Sequence, residues 1–213
     1  MRIGVFGGSF DPIHLGHLWI AEAALELLSL DHVRFIPAAQ SPLKPNGPIA
    51  SQQDRLQMLQ LSISGCEGFV VDSQEIDRGD VSYTVDTISR LTNDNPGADL
   101  FLIVGSDSLA SFGKWHQPER LLEMVSLAVV QRGGEPAIDF SVLDGLASPD
   151  RIESFQANVI KMPVIEISSS EIRSRVAADR SIRFRVARPT EALIQSRSIY
   201  VSKDDSISPS SKH

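Results

Sequence analysis

The sequence predicts an α/β fold, a doubly wound and mostly parallel sheet with a small helical part toward its C-terminal end. Three observations carry this. Six short apolar runs alternate with longer segments whose apolar residues recur every three or four positions, the pattern of strand–helix–strand units. The run Leu100-Phe101-Leu102-Ile103-Val104 is apolar without a break, as expected of a central parallel strand covered on both faces. The first apolar run ends in Gly7-Gly8 and leads toward a helical pattern, and such sheets bind ligands at the carboxyl ends of their strands.

Taken in order, strands are expected at residues 3–6, 33–36, 69–71, 100–104, 127–130 and 159–162. In the first helix Leu18, Ala21, Leu25 and Leu28 share one face, with Glu22, Glu26 and Ser29 on the other, and Trp19 is expected to pack there. Residues 51–63 open with Ser51 and Asp54 in an N-terminal capping pattern, after which Leu56, Leu59 and Ile63 align. Val85, Ile88 and Leu91 mark a third helix. Pro118 stands where a first helical residue tolerates it, ahead of Leu121 and Leu122. One domain spanning residues 1–201 accommodates all of this, with a helical subregion at about 168–200. Residues 202–213, SKDDSISPSSKH, offer almost nothing to bury and read as a disordered tail.

Composition narrows the function. A chain of 213 residues, 42% apolar and 22% charged, can bury a substantial core. Its net charge of −7 argues against a broad nucleic-acid footprint and against an acidic membrane surface as partner. Cys66 is the only cysteine, so neither an internal disulfide nor a cysteine metal cluster can form. The opening MRIGVFGG is too short for a signal h-region or a membrane span, and a cytoplasmic location is the expectation.

The segment Gly7-Gly8-Ser9-Phe10-Asp11-Pro12-Ile13-His14-Leu15-Gly16-His17 carries the chemistry. Two glycines allow a ligand to approach the backbone closely. A helix start offers unpaired N–H groups and the positive end of a dipole, which together attract an anion. Pro12 costs no helical hydrogen bond at such a start. His14 and His17, three apart, would lie on one helix face, and Gly16 would leave room for a phosphate between them. Two imidazoles there can donate to phosphate oxygens and stabilise charge growing on phosphorus. Zinc and a dinucleotide stay open as ligands but fit less well. A zinc pair would need a third ligand, for which only Asp11 is near. A dinucleotide fingerprint would need G-x-G-x-x-G, and Gly4, Gly7 and Gly8 have the wrong spacing. No G-x-x-x-x-G-K-[ST] phosphate loop occurs.

A second anion cradle is legible at Ile167-Ser168-Ser169-Ser170-Glu171-Ile172-Arg173. Ser168 and Glu171 form an S-x-x-E capping box, so a helix begins there, with three hydroxyls at its start and Arg173 one turn in.

The first of these segments resembles the signature of the nucleotidylyltransferases that carry an H-x-G-H motif, and most closely that of the bacterial nicotinate-nucleotide adenylyltransferases. The resemblance extends over nearly the whole chain to about Tyr200 and implies a Rossmann-like fold. It further implies transfer of the adenylyl group of ATP to nicotinate mononucleotide, with pyrophosphate leaving, in NAD biosynthesis. On this resemblance ATP lies along Gly7, Gly8, Ser9, Phe10 and Gly16, and along Ile167, Ser168, Ser169 and Arg173. Gly105 and Asp107, in Gly105-Ser106-Asp107, are implied at ribose hydroxyls, and Arg132 on the adenine side. Ser9 and Lys44 are implied at the acceptor phosphate, His14, His17 and Lys44 at the reacting centre. Tyr83 and Thr84, in Ser82-Tyr83-Thr84, are implied at the acceptor's carboxylate, and Trp115 beside His116 at its pyridine ring. Magnesium is expected between the ATP phosphates, held by substrate and water. The partners implied are small molecules, and self-association is not readable. A pantetheine-phosphate adenylyltransferase usually has threonine at the first histidine and lacks the S-Y-T and G-K-W pair. A nicotinamide mononucleotide acceptor stays open, and against a non-catalytic nucleotide sensor on the same fold stand both histidines, Lys44 and the serine–arginine helix, all intact. The chain departs from the family in its arginine-rich residues 182–189, in Ser170 where threonine is commoner, and in Ser196 where tyrosine is common.

Overall fold

A computed structural model describes residues 1–42 and 47–201. Lys44 and the tail at 202–213 lie outside the described residues. Among the described residues six strands form one sheet: β1 (Arg2–Gly8), β2 (His32–Pro37), β3 (Phe69–Val71), β4 (Asp99–Gly105), β5 (Ser126–Arg132) and β6 (Ile160–Met162). All are parallel, in the order β3-β2-β1-β4-β5-β6. The six strands are those the apolar runs predict, four of them longer by one or two residues at each end.

The unbroken run in β4 has a direct cause. Phe101 and Ile103 enter one core with Phe6, Phe35, Ala128 and Val130, while Leu100, Leu102 and Val104 enter the opposite one with Ile3, Val5, Leu127 and Val129. With both faces buried, neither set of alternating positions can be polar. Helices α1 (Leu15–Leu27) and α2 (Gln52–Ile63) pack on the first core, joined by α8 (Ser169–Ala177) and α9 (Arg188–Ser196). Helices α4 (Thr84–Asp94), α6 (Pro118–Met124) and α7 (Pro149–Gln156) cover the second. The short α3 (Gln74–Arg78) and α5 (Ser106–Ala110) follow β3 and β4 directly. No helix among the described residues is long and apolar enough to cross a membrane.

The caps are mostly as read. Ser51 Oγ accepts the Asp54 N–H at 3.0 Å and donates to the Asp54 carboxylate at 2.7 Å. Ser168 Oγ accepts from the Glu171 N–H at 3.1 Å. The Glu171 carboxylate does not close the box, because it turns to Arg185 at 3.0 Å. Two expectations for α1 are corrected. Trp19 is half exposed rather than packed, since it sits beside the apolar stripe and not on it. The helix begins at Leu15, so Pro12 precedes it, and His14 is its extended N-cap (φ −143°, ψ 169°) rather than a residue on a helix face.

Candidate active site

In the strand order β3-β2-β1-β4-β5-β6, connections leave β1 and β4 toward opposite edges, which opens a crevice beyond their carboxyl ends. Gly7 and Gly8 end β1, and Gly105 ends β4. A Cβ added at Gly7 or Gly105 would meet nothing within 4 Å, so both backbones face open space. A pocket of about 490 Å³ fills the crevice. Its walls bring together Gly7, Gly8, Ser9, Tyr83, Thr84, Gly105 and Trp115, and add residues sequence reasoning missed: Glu75, Thr87, Ser108 and Lys114.

The far wall is aromatic. Trp115 stacks on Phe112 with ring centroids 4.9 Å apart, which fixes one indole face. Its buried Nε1 has no hydrogen-bond partner among the described residues. Tyr83 lies against His116, 4.4 Å between centroids. Tyr83 is also the N-cap residue of α4 but supplies no side-chain cap, so that helix start keeps donors available. Ser82 is committed elsewhere: its hydroxyl accepts the Ala39 N–H at 3.0 Å and pins the loop after β2. Thr87 donates to the buried Glu75 carboxylate at 2.6 Å, which ties α4 to α3.

The histidine turn follows Ser9 in the chain, but His14, His17, Asp107, Arg132 and the residues of α8 are not among those that line the pocket. The rings of His14 and His17 stack 3.7 Å apart, and the His14 N–H reaches His17 Nδ1 at 3.3 Å. They share a face because an N-cap and the third helical residue are brought together by the turn, not by helical periodicity. A Cβ on Gly16 would come within 3.1 Å of the His14 ring, so this glycine leaves room for that imidazole. Phe10 is core: its ring meets that of His17 at 5.1 Å and leaves only its backbone for a ligand. The Leu15 N–H is already taken by the Arg185 carbonyl at 2.8 Å, which partly fills the anion site expected at this helix start. Burial, reinforced by the charge of Arg132, pulls the His14 pKa down to about 4. The ring is neutral at neutral pH, and Arg132 stands within electrostatic reach of it.

The serine cluster meets the histidine turn. Ser169 Oγ donates to the Pro12 carbonyl at 2.8 Å, and Arg173 Nη1 to the Asp11 carbonyl at 2.6 Å. Arg173 Nη2 reaches Ser170 Oγ at 3.3 Å. Of the three hydroxyls expected to converge on a ligand, Ser168 therefore caps, Ser169 bridges and Ser170 accepts from Arg173. Ile167 is partly buried against the first core just ahead of the helix. Beneath the turn lies a cluster that sequence reasoning missed. Asp11 takes the Ile49 N–H at 2.8 Å, the Ala50 N–H at 3.0 Å and the Tyr200 hydroxyl at 2.8 Å. The fully buried Arg55 donates to the carbonyls of Ser9 and Ala38, each at 2.7 Å.

At the ends of β4 and β5, Ser106 donates to Glu135 at 2.8 Å, and Arg132 lies 3.6 Å from the same carboxylate. Asp107 is exposed at the start of α5. Among the described residues no group of three or more His, Cys, Asp or Glu could hold a metal ion. Asp11, the acid nearest the histidines in sequence, spends its oxygens on Ile49, Ala50 and Tyr200 and is not a third zinc ligand.

A family model described as cytidylyltransferase-like matches residues 5–175. The chain is 52% identical over 93% of its length to a probable nicotinate-nucleotide adenylyltransferase of Rhodopirellula baltica, covering 92% of that protein. A relative of the same name from Gemmatimonas aurantiaca is 42% identical over 94% of this chain and 92% of its own. The solved nicotinic acid mononucleotide adenylyltransferase of Plasmodium falciparum, complexed with APC, shares the fold with a TM-score of 0.72 at 19% identity, over 93% of this chain and 96% of that one. With the histidine turn bonded to the serine–arginine helix and following Ser9 of the switch-point pocket, this chain belongs to the nicotinate-nucleotide adenylyltransferases of the cytidylyltransferase-like family.

Proposed function

We propose that the chain transfers the adenylyl group of ATP to nicotinate mononucleotide, giving deamido-NAD and pyrophosphate. One observation carries the reading: the two phosphate-directed motifs, more than 150 residues apart, are bonded to each other beside a pocket whose far wall offers an aromatic face. The names of the relatives support the same acceptor.

The chemistry asks for placement and charge. An oxygen of the mononucleotide phosphate attacks the α-phosphorus of ATP in line. The bond from that phosphorus to the bridging oxygen breaks, and pyrophosphate leaves with the electron pair. The nucleophile is already anionic, so no general base is required. His14 and His17 donate to phosphate oxygens and stabilise the transition state. A neutral His14 still offers one ring N–H, and it gains most from a partner where burial has removed water. The start of α8, with Arg173, holds the β- and γ-phosphates. Arg132 approaches the adenine side, and Gly105 and Asp107 the ribose. Ser9 and Lys44 orient the attacking phosphate. Trp115 stacks on the pyridine ring, and the N–H groups at the start of α4, near Tyr83 and Thr84, receive its carboxylate.

Magnesium fits this site as a substrate-borne ion, since Asp11 is spent within the chain and the described residues offer no carboxylate cage. Held by ATP and water, it would mask part of the triphosphate charge.

Pyrophosphate release is measured with ATP and each of nicotinate mononucleotide, nicotinamide mononucleotide and phosphopantetheine. The expected result is the highest kcat/KM with nicotinate mononucleotide. Preference for another acceptor, or nucleotide binding without turnover, overturns the reading.

A further inference from the structure

Several parts of the crevice converge on the side chain and carbonyl of Asp11. Its carboxylate accepts from Ile49 and Ala50, just ahead of α2, and from Tyr200, 189 residues away. Its carbonyl accepts from Arg173 of α8. Asp11 itself is 4% exposed and three residues before His14. Tyr200 is buried as well, and burial beside this carboxylate drives the phenol pKa far up, so its hydroxyl is a permanent donor.

We infer that Asp11 and Tyr200 form a positioning pair, which sets the histidine turn, residues 49–50 ahead of α2, and α8 in register for in-line transfer. The inference rests on the adenylyl-transfer reading. Neither residue touches the reacting atoms. Asp11 acts through the segments it holds, and Tyr200 acts through Asp11. Substrate affinity is spread over many contacts and tolerates a small loss of register. In-line attack does not, because a misplacement of about 1 Å can cost two decades in rate. A loosened Asp11 should therefore appear in kcat ahead of KM.

The test uses the full chain. Tyr200→Phe deletes the hydroxyl without opening a cavity. The expected result is a roughly tenfold fall in kcat, KM values for both substrates within about twofold, and a melting temperature lower by a few degrees. Thr190→Val supplies the structural comparison. It removes an equally buried hydroxyl contact, Ser62 Oγ to Thr190 Oγ1 at 2.7 Å, which joins α2 to α9 away from the crevice. It should cost similar stability and leave kcat unchanged. Asp11→Asn should lower kcat further than Tyr200→Phe if it folds. A Tyr200→Phe protein that matches Thr190→Val, destabilised with full kcat, overturns the pair's role whatever Asp11→Asn does. A wild-type chain without turnover overturns the adenylyl-transfer reading and this inference together.

Discussion

Around the histidine turn polar side chains bind the chain to itself in one cluster; on the tryptophan side Ser82 and Thr87 are bonded within the chain, but several other groups are left open. Asp11, Arg55, Ser169, Arg173 and Tyr200 draw the turn, the loop after β2, α8 and the C-terminal segment onto one cluster. Within the pocket, Trp115 keeps an unpartnered Nε1 among the described residues, Gly7 and Gly105 face open space, and α4 starts without a side-chain cap. The difference teaches how the two halves divide the work. Developing charge is met best by groups that need not reorganise, so an ordered cluster suits the half to which the proposed function gives the phosphates. The half to which it gives the pyridine ring keeps open groups, which would count toward affinity for a substrate.

The sharpest way to break this contrast is at the rigid side. His17→Ala removes a group held against both His14 and Phe10. We expect kcat to fall by about two decades, the usual cost of losing one preorganised transition-state donor, with a near-normal melting curve. Near-normal turnover would mean the stacked pair is packing rather than chemistry.

Folding stability against pH probes the same side. The His14 pKa is depressed in the folded chain to about 4, from 6.5. Between these values the unfolded chain binds more protons, so stability is full above pH 6.5 and is lost as pH falls toward 4. From pH 7 to 5 this one group should cost about 2 kcal/mol. His14→Gln should flatten that part of the profile in denaturant titrations. An unchanged slope would show that another group governs it.

The open side should respond in affinity instead. Trp115→Ala removes the indole face but not Phe112 behind it. The KM for the mononucleotide should rise about tenfold, in line with the worth of one aromatic stack, while the KM for ATP changes little. Equal losses for both substrates would remove the division of labour between the two walls.

The two sides also differed in how far the sequence exposed them. The strands were legible because burial on both faces leaves no polar position in the runs, and the serine helix because a cap has a local signature. Trp115, Tyr83 and Thr84 fall on one pocket because each stands near the end of a strand or the start of a helix, where topology brings them together. The Asp11 cluster left no such trace. Arg55 is a charged residue on a stripe that reads as amphipathic, and Tyr200 meets Asp11 only through tertiary folding. The packing of Gly16 against the His14 ring was hidden for a related reason, since that ring is placed by an N-cap with no capping side chain of the usual type. The Arg185 carbonyl on Leu15 is a backbone acceptor, invisible to any reading of side-chain types.

The smallest expected effect lies where the two sides meet. Glu135 holds Ser106 at 2.8 Å and stands 3.6 Å from Arg132, whose side chain is about half exposed. An exposed pair of this kind contributes little to stability, and its carboxylate opposes any anion drawn to Arg132. Glu135→Gln keeps an oxygen that can accept from Ser106 and removes the opposing charge. The KM for ATP should therefore fall, by about two- to threefold at low salt, and the gain should shrink as salt screens it. The acceptor's KM should not move. A rise in the KM for ATP would instead mean that Glu135 is needed to aim Arg132, and the ordered side of the crevice would then extend across to β5.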